Sequence, residues 1–394
     1  WVGWLAVFSP FVVMGFYAVL GGYCMEYMVL NLSHLVIPGM QSQRGAEAFQ
    51  MMLSHPMRSL ISMLAFMAVC YLISRSGVSG GIERFNKVGM PALFGMLAIM
   101  IVRSLSLPNA MEGLKFMFLP GYAVEAGFIQ QAPGFASILA TAGGQMFFSL
   151  SLAMGAMITY GSYLDKKQDL GKSAMIIVGM DTVVALMAGL CVIPGRFALD
   201  PNGALGGPEL LFITMQNVFD KMGPAGPVFG ILFYLLVFFA AISSSISMLE
   251  VIVAHFCDKA REKGKGDRRK LYSAIAVVIC AALCALVCAD GMGSNHISPA
   301  ELLGLAGAKL PGWSTSWLGL FDSVAEGLLM PLGALLMCLM ISWELKPDAL
   351  RQEILLNGEN RPWVYDFFRL CVKYITPLCM LMILYGQISD FFIV

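Results

Sequence analysis

The chain has 394 residues, of which 58% are apolar and 13% are charged, and its formal net charge is zero. A soluble domain carries about 25% charged residues, so this composition excludes an ordinary soluble protein, and the balanced charge indicates no nucleic-acid partner. A β-barrel would show alternating segments of ~10 residues, and the apolar runs are longer. We therefore expect an all-α polytopic membrane protein, because helices satisfy their own backbone hydrogen bonds in lipid.

Nine apolar segments are long enough to span a bilayer core, which takes roughly 20 helical residues. They cover residues 3–33, 59–75, 88–106, 134–164, 173–197, 227–256, 271–289, 314–343 and 364–389. Of the 25 Lys and Arg residues, 18 lie in or beside the loops that follow the second, fourth, sixth and eighth segments. The positive-inside rule places these loops in the cytoplasm. We thus expect a multi-pass protein of the cell (inner or cytoplasmic) membrane, with residue 1 on the cytoplasmic side and the C-terminus outside.

The segment 134–164 is interrupted at its centre by small and hydroxyl residues, from Gln145 to Gly155. An unwound membrane helix exposes carbonyl groups that hold a cation and a positive helix N-terminus that holds a carboxylate. This composition also fits a small-residue packing face between helices.

Three consecutive serines, Ser243, Ser244 and Ser245, lie at the centre of segment 227–256. Hydroxyl and backbone oxygens are hard donors that suit Na⁺. Hydrogen bonding between helices, or back to carbonyl groups of the same helix, is the alternative for these serines.

Ionisable side chains in or near the predicted spans are Glu26, Asp181, Glu250, Asp322 and Glu326. An ionisable group inside a membrane helix is a functional candidate, although Glu26 and Glu326 lie near an interface and are discounted. Tyr17 lies in the middle of its helix, where its hydroxyl needs a polar partner. No residue grouping typical of catalysis is visible, so we do not expect an enzyme.

Four stretches resemble the neurotransmitter:sodium symporter family, in its prokaryotic amino-acid transporter form. Residues 81–91 (GIERFNKVGMP) are similar to the family's connection between helices four and five, and residues 207–220 (GPELLFITMQNVFD) are similar to its fourth external loop. Residues 145–155 (QMFFSLSLAMG) resemble its discontinuous helix six, and residues 239–245 (FAAISSS) resemble its helix eight.

The resemblance implies an inverted-repeat symporter fold with discontinuous helices, in one transmembrane domain over residues 1–394. The nine segments then correspond to family helices three to eleven: residues 1–106 are the remainder of the first repeat, 134–343 the second repeat, and 364–389 the last helix. Family helices one and two would be absent. Because the chain begins at Trp1 inside an apolar segment, we expect further sequence to precede it.

The resemblance also implies residue roles, matched position by position. The residues matched to substrate-binding positions are Tyr17, Val13, Phe148, Ser149, Ser151, Met154, Ser244 and Met248. The residues matched to sodium ligands are Ser149 and Asp181 in the first site and Ala240, Ser243 and Ser244 in the second. The residues matched to gate positions are Gln145, Phe148, Asp322, Tyr163 and Asp258. An asparagine is more usual in the family at the position of Asp181.

The function implied is a Na⁺-coupled secondary transporter that imports a neutral, apolar or aromatic L-amino acid by alternating access. The alternative is a transport-inactive membrane scaffold of the same fold. Na⁺-dependent amino-acid binding distinguishes the two.

Overall fold

The computed structural model describes residues 2–37, 45–119, 121–165, 167–204, 206–264, 266, 268–304, 312–345, 347–355 and 362–392. Trp1 and Val394 lie outside the described residues. The predicted orientation of the two termini concerns these residues. Within these ranges the chain is helical, and no strand occurs in this part of it.

The described helices, in chain order, are α1 (Val2–Val36), α2 (Gly45–Ser54), α3 (Pro56–Ser74), α4 (Glu83–Leu105), α5 (Ala110–Phe118), α6 (Tyr122–Glu125), α7 (Phe135–Ser149), α8 (Ala156–Gly161), α9 (Leu170–Leu199), α10 (Gly207–Glu209), α11 (Met215–Asp220), α12 (Gly226–Glu262), α13 (Arg269–Asp290), α14 (Pro299–Leu302), α15 (Trp317–Asp322), α16 (Met330–Trp343), α17 (Pro347–Ile354), α18 (Pro362–Leu370) and α19 (Thr376–Phe392). Connecting π-helical turns are Val78–Ile82, Leu210–Thr214, Ser323–Leu329 and Cys371–Ile375.

In the described part of the chain, eight helices are long and apolar enough to cross a membrane. Each overlaps one predicted segment. The remaining predicted segment, 134–164, is not one continuous helix, because it divides into α7 and α8 with residues 150–155 between them. The predicted discontinuous helix is therefore present.

Helix α1 lies at the centre of the molecule and packs against α3, α12 and α13. Its sequence is apolar on all sides, which is typical of a helix buried on all sides. Glycines allow close packing: a Cβ added to Gly22 would lie 2.7 Å from the backbone nitrogen of Met63 on α3. The Tyr17 side chain is thereby held in the middle of the bundle.

The stretch 198–226 folds back onto the bundle through its apolar residues. Phe212, Val218 and Phe219 are fully buried, and the Phe212 ring lies 5.2 Å from the ring of Tyr27 on α1. This stretch therefore covers the outer end of α1.

Candidate substrate and sodium site

The break between α7 and α8 is an unwound segment with left-handed backbone. Ser151 has φ 51°, Ala153 has φ 61° and Gly155 has φ 74°. Left-handed conformations are costly for residues with a Cβ, and such strain clusters at functional sites when the surrounding structure imposes it. The break leaves backbone groups of residues 150–155 outside any regular helix, next to Ser149 and Phe148.

Ser149 at the end of α7 contacts Asp181 on α9. Its hydroxyl donates a hydrogen bond of 2.7 Å to Asp181 Oδ1. The two predicted ligands of the first sodium site, which are 32 positions apart in sequence, thus lie side by side. Their oxygens are hard donors, and the carboxylate supplies a full negative charge.

Tyr17 faces the same region from α1. Its ring lies 6.3 Å from the ring of Phe148, centroid to centroid, in a tilted arrangement. Its hydroxyl lies next to the side chain of Ser244 on α12. The structure therefore brings together three predicted substrate-binding residues from α1, α7 and α12.

The serines of α12 divide into two environments. The Ser243 hydroxyl donates to the Ala240 carbonyl at 2.8 Å, so the predicted ligands Ala240 and Ser243 contact each other within one helical turn. Ser244 is exposed. The alternative given for this cluster, a hydrogen bond back to a carbonyl group of the same helix, is therefore present at Ser243. The Ser244 hydroxyl is open to other partners.

The predicted side-chain pocket residues are apolar and buried. Val13, Met154 and Met248 have relative exposures of 0%, 3% and 5% and belong to one apolar core. Ser151 is half-buried. None of the four carries a charge.

Two tyrosines bind α12 near the end of α8: Tyr160 within that helix and Tyr163 just after it. Tyr160 Oη is 2.7 Å from Ser247 Oγ, and Tyr163 Oη donates to Glu250 Oε1 at 2.7 Å. Glu250 is fully buried and also pairs with Arg269 at the start of α13.

Two of the predicted gate residues, Tyr163 and Asp258, have different surroundings. Tyr163 binds Glu250, whereas Asp258 is exposed and lines a cavity of about 240 Å³ together with Ser162 and His255. Their gate roles stay predictions.

The outer gate residues lie on α7 and α15. Gln145 is exposed and Asp322 is half-buried. A second carboxylate beside α7 is that of Glu326, whose Oε1 lies 3.3 Å from the position that a Cβ on Gly144 would take. Glu326, discounted from the sequence, therefore lies beside the predicted gate.

Sequence reasoning missed Tyr160, Ser247 and Arg269. A usable signal existed: Tyr160 and Tyr163 are three residues apart within the predicted segment 134–164, and Ser247 and Glu250 have the same spacing in the predicted segment 227–256. Side chains at this spacing share the face of a helix, so the matched spacings indicate two matched polar pairs.

The outer loop carries a further polar chain. Gln216 Nε2 donates to Asp220 Oδ1 at 2.9 Å, and Asn31 Nδ2 donates to Gln216 Oε1 at 2.9 Å. Burial raises the pKa of Asp220 above its usual value, against the opposing effects of the Gln216 hydrogen bond and of nearby His34. The loop is thus connected to α1 by buried hydrogen bonds.

The broken helix, the hydroxyl and carboxylate oxygens beside it, and the eight membrane-length helices of the described residues are typical of a polytopic secondary transporter. The family model described as the sodium:neurotransmitter symporter family matches residues 43–392. The chain belongs to the sodium:neurotransmitter symporter family, which is a family of secondary transporters and not of enzymes.

Similar proteins agree with this assignment. The "Uncharacterized sodium-dependent transporter YhdH" of Bacillus subtilis (strain 168) is 35% identical over 394 residues, covering 98% of this chain and 79% of the relative. An "Uncharacterized sodium-dependent transporter" of Haemophilus influenzae is 28% identical over 97% of this chain and 78% of its own length. Among solved structures, MhsT in complex with L-phenylalanine has 30% identity and a TM-score of 0.79, covering 98% of this chain and 80% of that one.

Proposed function

We propose that this protein is a sodium-coupled symporter that imports a neutral, apolar or aromatic L-amino acid across the cytoplasmic membrane by alternating access. The observation that carries the proposal is the contact between Ser149 and Asp181 beside the break in helix α7–α8. The basic connection between α12 and α13 lies on the cytoplasmic side, as the positive-inside rule requires.

Sodium is the cargo that these oxygens suit. Hydroxyl, carboxylate and backbone carbonyl oxygens are hard ligands, and residues 149–155 together with Asp181 offer all three kinds. Attraction between Na⁺ and a carboxylate is several times stronger in a low-dielectric site than in water.

The substrate class follows from the side chains around Tyr17. The hydroxyls of Tyr17 and Ser244 suit a substrate carboxylate, and the Phe148 ring suits an apolar side chain. Val13, Met154 and Met248 are apolar and buried, and methionines adapt to varied shapes. The solved relative holds L-phenylalanine, which is a member of the proposed class.

Uptake by the full-length protein in proteoliposomes tests the coupling. We expect uptake of labelled amino acid in a Na⁺ gradient and none when choline or K⁺ replaces Na⁺. Ser243→Ala and Ser244→Ala should each raise the Na⁺ concentration that gives half-maximal uptake. Ser33→Ala is a matched control, because the Ser33 hydroxyl makes a similar local bond, to Leu30 O at 2.7 Å, at the far end of α1. Equal uptake in choline would contradict the proposal.

Competition defines the substrate. Leucine, phenylalanine or tryptophan should displace the label better than glutamate or lysine, because no charged side chain lies among the proposed pocket residues. Stronger displacement by glutamate or lysine would contradict the substrate class but not the sodium coupling. Failure of every amino acid to bind in Na⁺ would favour the scaffold alternative.

A further inference from the structure

Five exposed basic residues surround the connection between α12 and α13. This basic collar consists of Lys259, Arg261, Lys263, Arg268 and Lys270. Within the described ranges, none of the five makes an ion pair, and the exposed acids in the same stretch are Asp258 and Glu262. Lys265 and Asp267 lie outside the described residues and are not part of the collar.

The collar lies where two membrane helices meet the surface. Helix α12 ends and α13 begins here, and both are apolar enough to cross a bilayer. Lys259 Nζ lies 4.8 Å from the ring centroid of Trp4, which is half exposed. Tryptophan is enriched at the level of lipid headgroups, so this pair places the collar at that level.

An apolar stripe on α13 begins immediately after the collar. Leu271, Ile275 and Val278 are 50%, 45% and 67% exposed, and their spacing of four and three residues places them on one helix face. The molecule therefore presents unpaired positive charge and, directly below it, an exposed apolar face. This combination matches a phospholipid with an anionic headgroup and argues against a soluble polyanion, which would have no use for the stripe.

We propose that the basic collar and the α13 stripe form a binding surface for anionic phospholipid: phosphate groups contact the collar, and an acyl chain lies along the stripe. Polybasic segments beside a membrane helix attract anionic lipid, and ionic screening weakens the attraction. Arg268 and Lys270 flank Arg269, which pairs with buried Glu250. A headgroup held by these two residues fixes the first turn of α13 and, with it, the Glu250 network. This lipid-binding proposal does not depend on the proposed transport function.

The test compares phosphatidylglycerol with phosphatidylcholine, each added to the purified full-length protein in neutral detergent, by the shift in melting temperature. We expect phosphatidylglycerol to raise the melting temperature of the wild type more than phosphatidylcholine, and molar salt to remove the difference. Replacing all five collar residues by glutamine should remove most of the difference. Arg269 is kept in this variant because it pairs with Glu250. Because the two lipids are compared within each variant, differences in basal melting temperature between variants do not affect the result.

A matched control carries five glutamines at exposed basic residues elsewhere on the same predicted face: Arg84, Lys167, Lys172, Arg351 and Arg369. It should keep the wild-type lipid difference. If the five-residue collar variant does not fold, Arg268→Gln with Lys270→Gln serves instead and should lose part of the difference. The proposal is overturned if phosphatidylglycerol has no selective effect on the wild type, if a collar variant responds fully, or if the control loses as much.

Discussion

Asp181 supplies a negative charge beside Ser149, at a position where the family more often has a neutral asparagine. We expect Asp181→Asn to raise the Na⁺ concentration for half-maximal amino-acid binding about ten-fold, which corresponds to ~1.4 kcal/mol, because the cation loses a charged ligand. Binding to the wild type should be equal in chloride and gluconate, and the variant should gain a preference for chloride. Glu125→Gln, which removes an exposed carboxylate from the loop helix α6, should change neither property. An Asn variant with wild-type sodium dependence would show that the charge of Asp181 does not contribute to sodium binding.

Glu250 is buried with hydrogen bonds from Tyr163 and Arg269. Removing one partner of a buried pair leaves the other charge uncompensated, at a cost of roughly 3–5 kcal/mol. We expect Glu250→Gln to lower the melting temperature of the purified protein strongly. The double variant Glu250→Gln, Arg269→Gln should be more stable than the single one, because it removes both charges. Additive losses in this double-mutant cycle would contradict the pairing.

The candidate site shows which of its contacts can be predicted from the sequence and which cannot. Ser149, Asp181, Tyr17 and Ser244 were predicted from the resemblance, and the structure places them in two contacting groups. The Glu250–Arg269 pair was not predicted, because it joins the middle of one helix to the start of another and depends on the tilt of both. The resemblance predicted the helix break, which the small and hydroxyl residues alone left open, and the left-handed conformation of Ala153 has no signal in its residue type.

At the scale of elements, the contact of α1 with α3 depends on glycine. A Cβ at Gly22 would lie 2.7 Å from backbone atoms of α3, which cannot move as a side chain can. Overpacking typically costs 1–3 kcal/mol, so we expect Gly22→Ala to lower the melting temperature. Gly95→Ala on α4, where a Cβ would meet nothing within 4 Å, should be neutral or slightly stabilising. Equal effects of the two substitutions would contradict this packing.

The outer loop should respond to pH through Asp220. Because the pKa of Asp220 is raised in the folded state, the folded state binds more protons than the unfolded state just above the usual aspartate pKa of about 4. Stability from this group is therefore present at low pH and is lost as the pH rises through the folded-state pKa. Asp220→Asn mimics the protonated form and keeps an acceptor for Gln216, so it should flatten the pH dependence of the melting temperature in that window.

Glu301 provides the control for this pH experiment. It is also an acid outside the spans, but hydrogen bonds from His296 and Ser298 lower its pKa. Glu301→Gln should therefore remove a pH dependence of the opposite sign that lies below about pH 5, and it should leave the melting temperature above about pH 5 as it is in the wild type. An Asp220→Asn variant with unchanged pH dependence would show that the charge is not buried in solution.

The helices themselves were predictable because span length and hydropathy are local properties. Every predicted segment contains a helix, including α1 and α12, whose apolar runs are continuous. The π-helical turns, such as Ser323–Leu329, were not predictable, because they depend on how neighbouring helices pack. The burial of Phe212 in the stretch 198–226 likewise depends on tertiary packing.

At the scale of the whole molecule, the orientation in the membrane can be measured directly. Cysteine introduced at Lys263 should react with a membrane-impermeant maleimide only after cells are opened, and cysteine introduced at Asn202 should react in intact cells. The unsubstituted protein corrects for labelling of its own cysteines, of which Cys257, Cys338, Cys371 and Cys379 are partly exposed. The reverse pattern would place the basic loops outside and contradict the proposed topology.

The two halves of the interrupted helix have different neighbours. Tyr160 of α8 and Tyr163, two residues after α8 ends, bind α12, whereas α7 packs against α16 and α19. The two halves of one interrupted helix thus belong to different groups of neighbours. A change in the relative tilt of these groups would have to be taken up by the dihedral angles of residues 150–155, so we expect that short segment to act as a hinge. Ser149 lies at one edge of this segment, so a rotation there would move its hydroxyl relative to Asp181 and change the spacing of the oxygens in the proposed sodium site.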